Sequence, residues 1–310
     1  MYAWIRLKGF GLTDPESPMI SVAIDWGSSS FRAYRFDAMG EQVDCVSDTV
    51  GIKFVTDSNF EAVMRQQVGD WLIPGDTVLL SGMISSRNGW LESRYLECPA
   101  QLGQLVDAGR RLQLDDVELI FLPGVSQSSP PDVMRGEELQ LIGAAATHGK
   151  GLYVIPGTHS KWAAVCDGTI NQFKTIPTGE LFDLLLSHSL IGALASDSEW
   201  DEFAFAKGVR CGFINSTPVS DLFSARSAVL MGQLSDIESY AWLSGLLIGN
   251  EIREGQLAMP DDPDMRILIG SLSLSEKYLR AFQTLGIEAI CADQYVTLHG
   301  FQTVIRSLSS

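Results

Sequence analysis

The strongest constraint on this chain is a pattern that occurs twice. An apolar run, Ile20–Asp25 (ISVAID), meets a glycine-bearing turn, Trp26-Gly27-Ser28-Ser29-Ser30, and resumes as a strand at Phe31–Phe36. Ala38–Gly40 turns the chain again, and Gln42–Ser47 reads as a third strand. Far downstream, Leu152–Ile155 (LYVI) runs into Pro156-Gly157-Thr158-His159-Ser160 and returns at Lys161–Cys166. Asp167-Gly168 then supplies a hairpin signal, and Ile170–Ile176 completes the second set. Strands so closely spaced, with turn residues between them, form antiparallel meanders. Two such units, with Gly27 and Gly157 at matching corners, imply an internal duplication and two similar α/β lobes facing across a cleft. At 310 residues, the chain has room for two lobes of roughly 150 residues each.

The intervening sequence alternates between helix and strand. A helix is expected from Ser58, read as its N-cap, with Phe60, Val63, Met64 and Val68 on one face. Val78–Leu80 is a strand running into Ser81-Gly82-Met83. Thr178-Gly179-Glu180 opens a helix carrying His188, and Ile237–Ile252 reads as a long helix. Met265–Ile269 is a buried strand, Ser275–Leu285 a helix, Ala289–Cys291 a short strand and Tyr295–Leu308 a closing helix.

Composition adds exclusions. Lys and Arg number 22 against 38 Asp and Glu, a formal charge of −16, so no broad positive field attracts nucleic acid or an anionic membrane. A small anionic substrate needs only a few local donors. The five cysteines (Cys45, Cys98, Cys166, Cys211, Cys291) are scattered without a CxxC pair, which fits reduced cytoplasmic thiols better than disulfides or zinc. The longest apolar runs fall far short of a membrane span. Residues 1–18 lack the apolar region and cleavage site of a secretory signal, and Met19 offers an alternative natural start.

Five stretches carry side chains suited to phosphate and sugar chemistry. In Asp25-Trp26-Gly27-Ser28-Ser29-Ser30-Phe31-Arg32, a glycine corner lets backbone N–H groups approach an anion while the hydroxyls add donors. Asp25, at the strand end, suits a magnesium ion held through water. A polar β-turn capped by Asp25 explains the same letters, so this stretch alone is ambiguous. Gly157-Thr158-His159-Ser160-Lys161 repeats the composition and adds a point charge; His159 reads first as a turn residue meeting local hydrogen bonds. In Met134-Arg135-Gly136-Glu137-Glu138, both carboxylates fall in a first helical turn, where the dipole favours ionised acids. A base accepting a hydroxyl proton suits that place, although plain N-terminal charge decoration is common. Arg87, Asn88 and Trp90 suit a carboxylate and a sugar carbon chain, or form a solvated loop with one anchoring Trp. Gly270-Ser271, between a strand and a helix, admits an adenosine or simply turns the chain. Glu180 either faces the cleft or serves as an N-terminal helix acid. No GxSxG elbow is present, which argues against a serine hydrolase.

Read together, AIDWGSSSFRAY, SGMISSRNGW, MRGEELQLIGA, YVIPGTHSKW, TGELFDLLLSHSLIG and LSGLLIG resemble the 2-dehydro-3-deoxygalactonokinase family, in the family's order and across nearly the whole chain after residue 19. The resemblance implies an α/β, two-lobed actin-like ATPase (ribonuclease H-like) fold. Each lobe would be a mixed sheet opened by a three-strand meander and flanked by helices. Residues 19–150 would form the N-terminal lobe, joined by the helix at 295–310, and residues 151–294 the C-terminal lobe. ATP and Mg²⁺ are implied, with γ-phosphoryl transfer to the 6-hydroxyl of 2-dehydro-3-deoxy-D-galactonate in galactonate catabolism. A related 2-keto-3-deoxy sugar acid, a phosphatase or ATPase, and a non-catalytic sugar sensor are the alternatives on this fold. In the family's terms Gly27, Ser28, Ser29, Ser30 and Arg32 resemble the first phosphate loop, and Gly157, Thr158, His159, Ser160 and Lys161 the second. Gly270 and Ser271 resemble the adenosine loop, and Asp25 the metal-side carboxylate. Glu137 or Glu138 stands as base, by likeness to the corresponding helix of exopolyphosphatases. Substrate contacts are expected from Arg87, Asn88, Trp90, Arg135 and Glu180. Two departures are Pro156, where an Asp often stands, and Gly-Ser in place of Gly-Gly at the adenosine loop. The expected partners are the sugar acid and ATP, with a second copy of the chain as the one macromolecular candidate.

Overall fold

In the computed structural model, which describes residues 20–115, 117–215, 218–259 and 265–308, the first meander forms as its spacing predicts. The segment 1–18 lies outside the described residues. Strand β1 (Ile20–Trp26) is apolar on both faces, as a central strand requires: Val22, Ile24 and Trp26 enter one core, Ile20 and Ala23 another. Strands β2 (Phe31–Phe36) and β3 (Gln42–Asp48) fold back antiparallel. Helix α1 (Phe60–Val68) leads to β4 (Thr77–Ser81), parallel to β1. Ser58 is not the N-cap. Asp57 and Ser58 both take positive φ in a turn, and the helix starts later, with Asn59 at the cap position.

Short strands β5 (Leu96–Glu97) and β6 (Ala100–Gln101) precede a hairpin of β7 (Arg110–Leu114) and β8 (Val117–Phe121), and β8 lies parallel to β4. The first sheet therefore runs β3-β2-β1-β4-β8-β7. Strands β9 (Val125–Ser128) and β10 (Pro131–Met134) join β5 in a small sheet, and helix α2 (Glu137–His148) leaves it for the second half.

There the plan repeats with β11 (Gly151–Ile155), β12 (Ser160–Cys166) and β13 (Thr169–Ile176). Helices α3 (Thr178–His188), α4 (Glu202–Ile214), α5 (Pro218–Leu222), α6 (Ser224–Leu230) and α7 (Asp236–Ala258) follow. Strand β14 (Arg266–Leu268) lies parallel to β11; helix α8 (Leu272–Leu285), strand β15 (Ile290–Cys291) and helix α9 (Val296–Leu308) close the chain. The order β13-β12-β11-β14-β15 reproduces β3-β2-β1-β4-β8 in sequence and direction, so the duplication expected from the paired glycine corners is present in the topology. One strand breaks the expected division: β6, from the first half, pairs with β13 and covers that edge of the second sheet.

Helices α2 and α9 are sandwiched between the sheets. Leu139, Ile142, Phe301 and Val304 share one core with Ala23, Tyr34 and Leu79 of the first sheet and Tyr153, Ala163 and Phe173 of the second. The two helices cross backbone to backbone. A Cβ on Gly143 would stand 1.8 Å from the Val296 carbonyl oxygen, and one on Gly300 2.2 Å from that of Leu139. Outside this centre, α1 covers the far face of the first sheet, and α4, α7 and α8 cover that of the second.

Candidate active site

The first glycine corner is closed by the Gly27 N–H donating to the Ser30 carbonyl at 2.9 Å. It is also held from behind: the N–H groups of Ile52 and Lys53 donate to the carbonyls of Gly27 and Ser28 at 3.0 and 3.2 Å. The corner sits so tightly on Gly51 that a Cβ there would lie 2.3 Å from the Ser29 nitrogen. Ser28, Ser29 and Ser30 stay exposed. Sequence reading missed Gly51, because its role depends on a contact across the meander.

Behind Asp25 two glycines of positive φ meet. Gly82, at φ 92°, would carry a Cβ 2.9 Å from the Trp26 carbonyl oxygen and 3.2 Å from Asp25 Oδ1. Gly136, at φ 106°, would carry one 3.4 Å from Gly82 Cα. Both positions have the positive φ that favours glycine, and Gly82 is crowded as well. They let the end of β4 and the start of α2 approach Asp25 as bare backbone. Burial pushes the Asp25 carboxyl up to about 6, against the pull of Arg32 and with a further push from Glu137.

Glu137 Oε2 accepts the Arg135 N–H at 2.9 Å, and Oε1 lies 3.7 Å from Lys161 Nζ. Lys161 comes from β12, so this ion pair joins the second sheet to the start of α2. Asp25, Arg32, Glu137 and Lys161 thus form one charged cluster, assembled from distant parts of the chain. Glu138 does not join it. It is 1% exposed, its two oxygens sit 2.9 and 2.8 Å from the Gly136 N–H, and burial, then Glu137, pushes its carboxyl up to about 8. Of the two carboxylates offered as base, Glu138 fastens the helix start from inside, and Glu137 keeps a quarter of its side chain accessible.

At the second corner, a Cβ on Gly157 would meet nothing within 4 Å, so open space lies in front of it. The Gly157 N–H donates to Ser160 Oγ at 3.3 Å. Ser160 is fully buried, with its hydroxyl also 3.4 Å from the Tyr278 hydroxyl. The expected Ser160 hydroxyl contact to phosphate is therefore corrected: the group is engaged inside the lobe. His159 Nε2 meets the Glu180 carboxylate at 2.7 Å, both half exposed. The Glu180 N–H donates to the Thr158 carbonyl at 3.0 Å, so Glu180 braces the second loop. Gly270 lies beside this loop as well, since its Cβ would approach Pro156 Cδ to 3.8 Å. Ile269, Gly270 and Ser271 border a cavity of about 720 Å³ whose opposite wall is Arg32, Tyr34, Cys45 and Ser47 of the first lobe.

Two residues expected at the substrate have partners within the protein. Trp90 stacks on Phe60, with centroids 6.3 Å apart, and meets Phe121 edge-on at 5.7 Å; partly buried, it packs against the core under α1. The Arg135 guanidinium donates to Ser85 O, Ser85 Oγ and Ser93 O at 2.6, 2.9 and 2.9 Å and lies over the Tyr95 ring, which occupies it in holding the loop after β4. Arg87 and Asn88 stand exposed on that loop, with Arg87 Nε 3.6 Å from Glu92.

Two duplicated lobes, with hairpin corners and a mixed-charge cluster between them, give the chain the fold of the actin-like ATPases and sugar kinases. A xylulose kinase from Lactobacillus acidophilus shares this fold at a TM-score of 0.50 and 9% identity, covering 93% of this chain and 89% of that one. The sequence model of 2-keto-3-deoxy-galactonokinase matches residues 25–304, and the chain belongs to that family. The 2-dehydro-3-deoxygalactonokinase of Escherichia coli K12 is 34% identical over 292 residues, 93% of this chain and 97% of the relative. A crystal structure from Sinorhizobium meliloti, of a protein provisionally named 2-dehydro-3-deoxygalactonokinase, superimposes with a TM-score of 0.85 at 30% identity, covering 92% of this chain and 97% of that one.

Proposed function

We propose that this chain transfers the γ-phosphoryl group of ATP to the 6-hydroxyl of 2-dehydro-3-deoxy-D-galactonate. The observation carrying the reading is the Asp25–Arg32–Glu137–Lys161 cluster between the two hairpin corners, in a chain of this family. Its cations face the transferred charge, and its carboxylates serve metal and proton. Phosphoryl transfer asks for positioning and charge neutralisation more than for covalent chemistry, and this cluster offers both.

The cavity between the adenosine loop and the β2–β3 wall has the volume of a nucleotide site. Backbone N–H groups of both corners, other than those of Gly27 and Gly157 that are bonded within their own turns, would hold phosphate oxygens, as such turns do, with Arg32 and Lys161 adding charge. Among the described residues no three His, Cys, Asp or Glu side chains converge on a metal position. A Mg²⁺ ion would therefore be held by Asp25 through water together with phosphate oxygens, the arrangement that ion prefers, and would neutralise charge on the transferred group. Glu137 accepts the acceptor's proton, oriented by the Arg135 N–H and by Lys161. Arg87 and Asn88, exposed on the loop surface, approach the sugar acid as the lobes close, and closure about the α2–α9 crossing excludes water. The lobes divide near residue 150, with α9 packed back on the first sheet. We place the reaction in the cytoplasm, where ATP is available and the five unpaired thiols persist reduced. No described helix is long and apolar enough to cross a membrane.

The test is ADP release measured against a panel of 2-keto-3-deoxy sugar acids. Turnover dependent on the galactonate derivative supports the proposal. ADP release without any acceptor marks an ATPase, and phosphorylation of none of the panel overturns the kinase reading.

A further inference from the structure

The second corner is anchored to a carboxylate buried in the middle of α7. Glu251 is 1% exposed, among the apolar side chains of Leu247, Ile248 and Ile252. A carboxylate in such a place is unfavourable unless fully bonded, and an apolar residue of similar volume often replaces it without loss of stability. What the carboxylate holds is therefore informative. One oxygen accepts the Trp162 indole N–H at 3.0 Å, and the other accepts the Tyr278 hydroxyl at 2.5 Å. Because Tyr278 donates its proton to Glu251, its oxygen is left to accept from Ser160 Oγ, 3.4 Å away. Ser160 Oγ, having donated, accepts the Gly157 N–H at 3.3 Å. The bonds thus run from Gly157 to Ser160, and from Ser160 to Glu251 both directly and by way of Tyr278. The end of the relay fixes which way the first peptide of the corner points. With the Gly157 N–H turned inward, the open side of the loop falls to the N–H groups that follow. Thr178, buried at the start of α3, also bonds Glu251, and its neighbour Gly179 presses on the Gly157 carbonyl. Three segments, β12, the start of α3 and α8, converge on one acid of α7.

We infer that Glu251 and Tyr278 are positioning residues for the nucleotide: through Ser160 they preset the second corner to receive the phosphates of ATP. This rests on the ATP-dependent reading above. The experiment is ATP–Mg²⁺ binding to the full chain by calorimetry, alongside KM for ATP and for the sugar acid. Tyr278→Phe and Ser160→Ala should each weaken ATP binding and raise its KM about tenfold, the scale of one lost hydrogen bond in a charged relay. KM for the sugar acid should stay within about twofold. The double variant should bind ATP no more weakly than Ser160→Ala alone, since both branches to Glu251 leave the corner through Ser160. Should Tyr278→Phe fail to fold, Glu251→Gln with Ser160→Ala forms an equivalent cycle. Unchanged ATP affinity, additive losses, or an equal rise in both KM values overturns the inference. A wild-type chain that binds no ATP overturns instead the kinase reading beneath it.

Discussion

Replacing Glu138 with glutamine should remove a large part of the protein's loss of stability between about pH 6.5 and about pH 9. The carboxyl is 1% exposed and burial raises it from 4.5 to about 8. The folded state therefore holds this proton more tightly than the unfolded chain does. The resulting stability is complete below the unfolded value and disappears as pH rises through about 8. At about 1.4 kcal/mol per pH unit, the whole window caps the contribution near ~5 kcal/mol, of which ~2 kcal/mol lies above about pH 6.5. Asp25, raised to about 6, has largely titrated by then, and its share is common to both proteins. Glutamine keeps an oxygen for the Gly136 N–H and carries no titrating proton. Urea unfolding at the two pH values is the assay. Wild type should lose ~2 kcal/mol more than the variant across the window, and the variant should be the more stable at the alkaline end. Parallel losses in both proteins would show that Glu138 is not a buried neutral acid.

Other outcomes follow from the same geometry. Glu137→Gln should lower kcat by about 10²–10⁴ while ATP binding, read by calorimetry, persists. Because Asp25 is protonated below about 6, kcat/KM should fall as pH drops through that value, and Asp25→Asn should abolish the inflection along with most activity. Trp90→Phe should leave KM for the sugar acid unchanged and lower stability by ~1 kcal/mol or more, because the indole packs between Phe60 and Phe121; a KM rise without a stability loss would return Trp90 to the substrate. Gly143→Ala places a Cβ 1.8 Å from the Val296 oxygen and should cost at least ~1–3 kcal/mol in urea unfolding, with kcat falling as the α2–α9 crossing shifts.

Where physical information was local, the sequence carried it. The meanders were legible because apolar runs and turn residues alternate within a few positions of one another, and the glycine corners mark both hairpins. The helix from Val296 and the buried strand Arg266–Leu268 announced themselves by periodicity. Ser58 misled because a good capping residue is also a common turn residue, and the backbone there chose a turn. Trp90 and Arg135 show a related difficulty. Both types bind sugars and carboxylates well, yet Phe60, Phe121 and the carbonyls of Ser85 and Ser93 reach them first. No local pattern reports which partner wins a contact between residues distant in sequence. The same holds for Gly51 and Gly82, whose meaning lies in backbone that arrives from another strand.

The two buried acids show what a local reading loses. Glu138 and Glu251 look alike in sequence only as helical glutamates, yet each sits behind one half of the site. Glu138 holds the Gly136 N–H, and thereby the turn that presents Glu137 beside Asp25. Glu251 holds Tyr278, and through Ser160 the corner at Gly157. A core selected for stability alone favours apolar side chains at such positions. Their placement is understandable if the requirement is geometric, since reacting groups must be held within a fraction of an ångström by supports that do not themselves touch substrate. On this argument the buried acids restrain the frame, while the exposed serines of the first corner are left to follow the ligands.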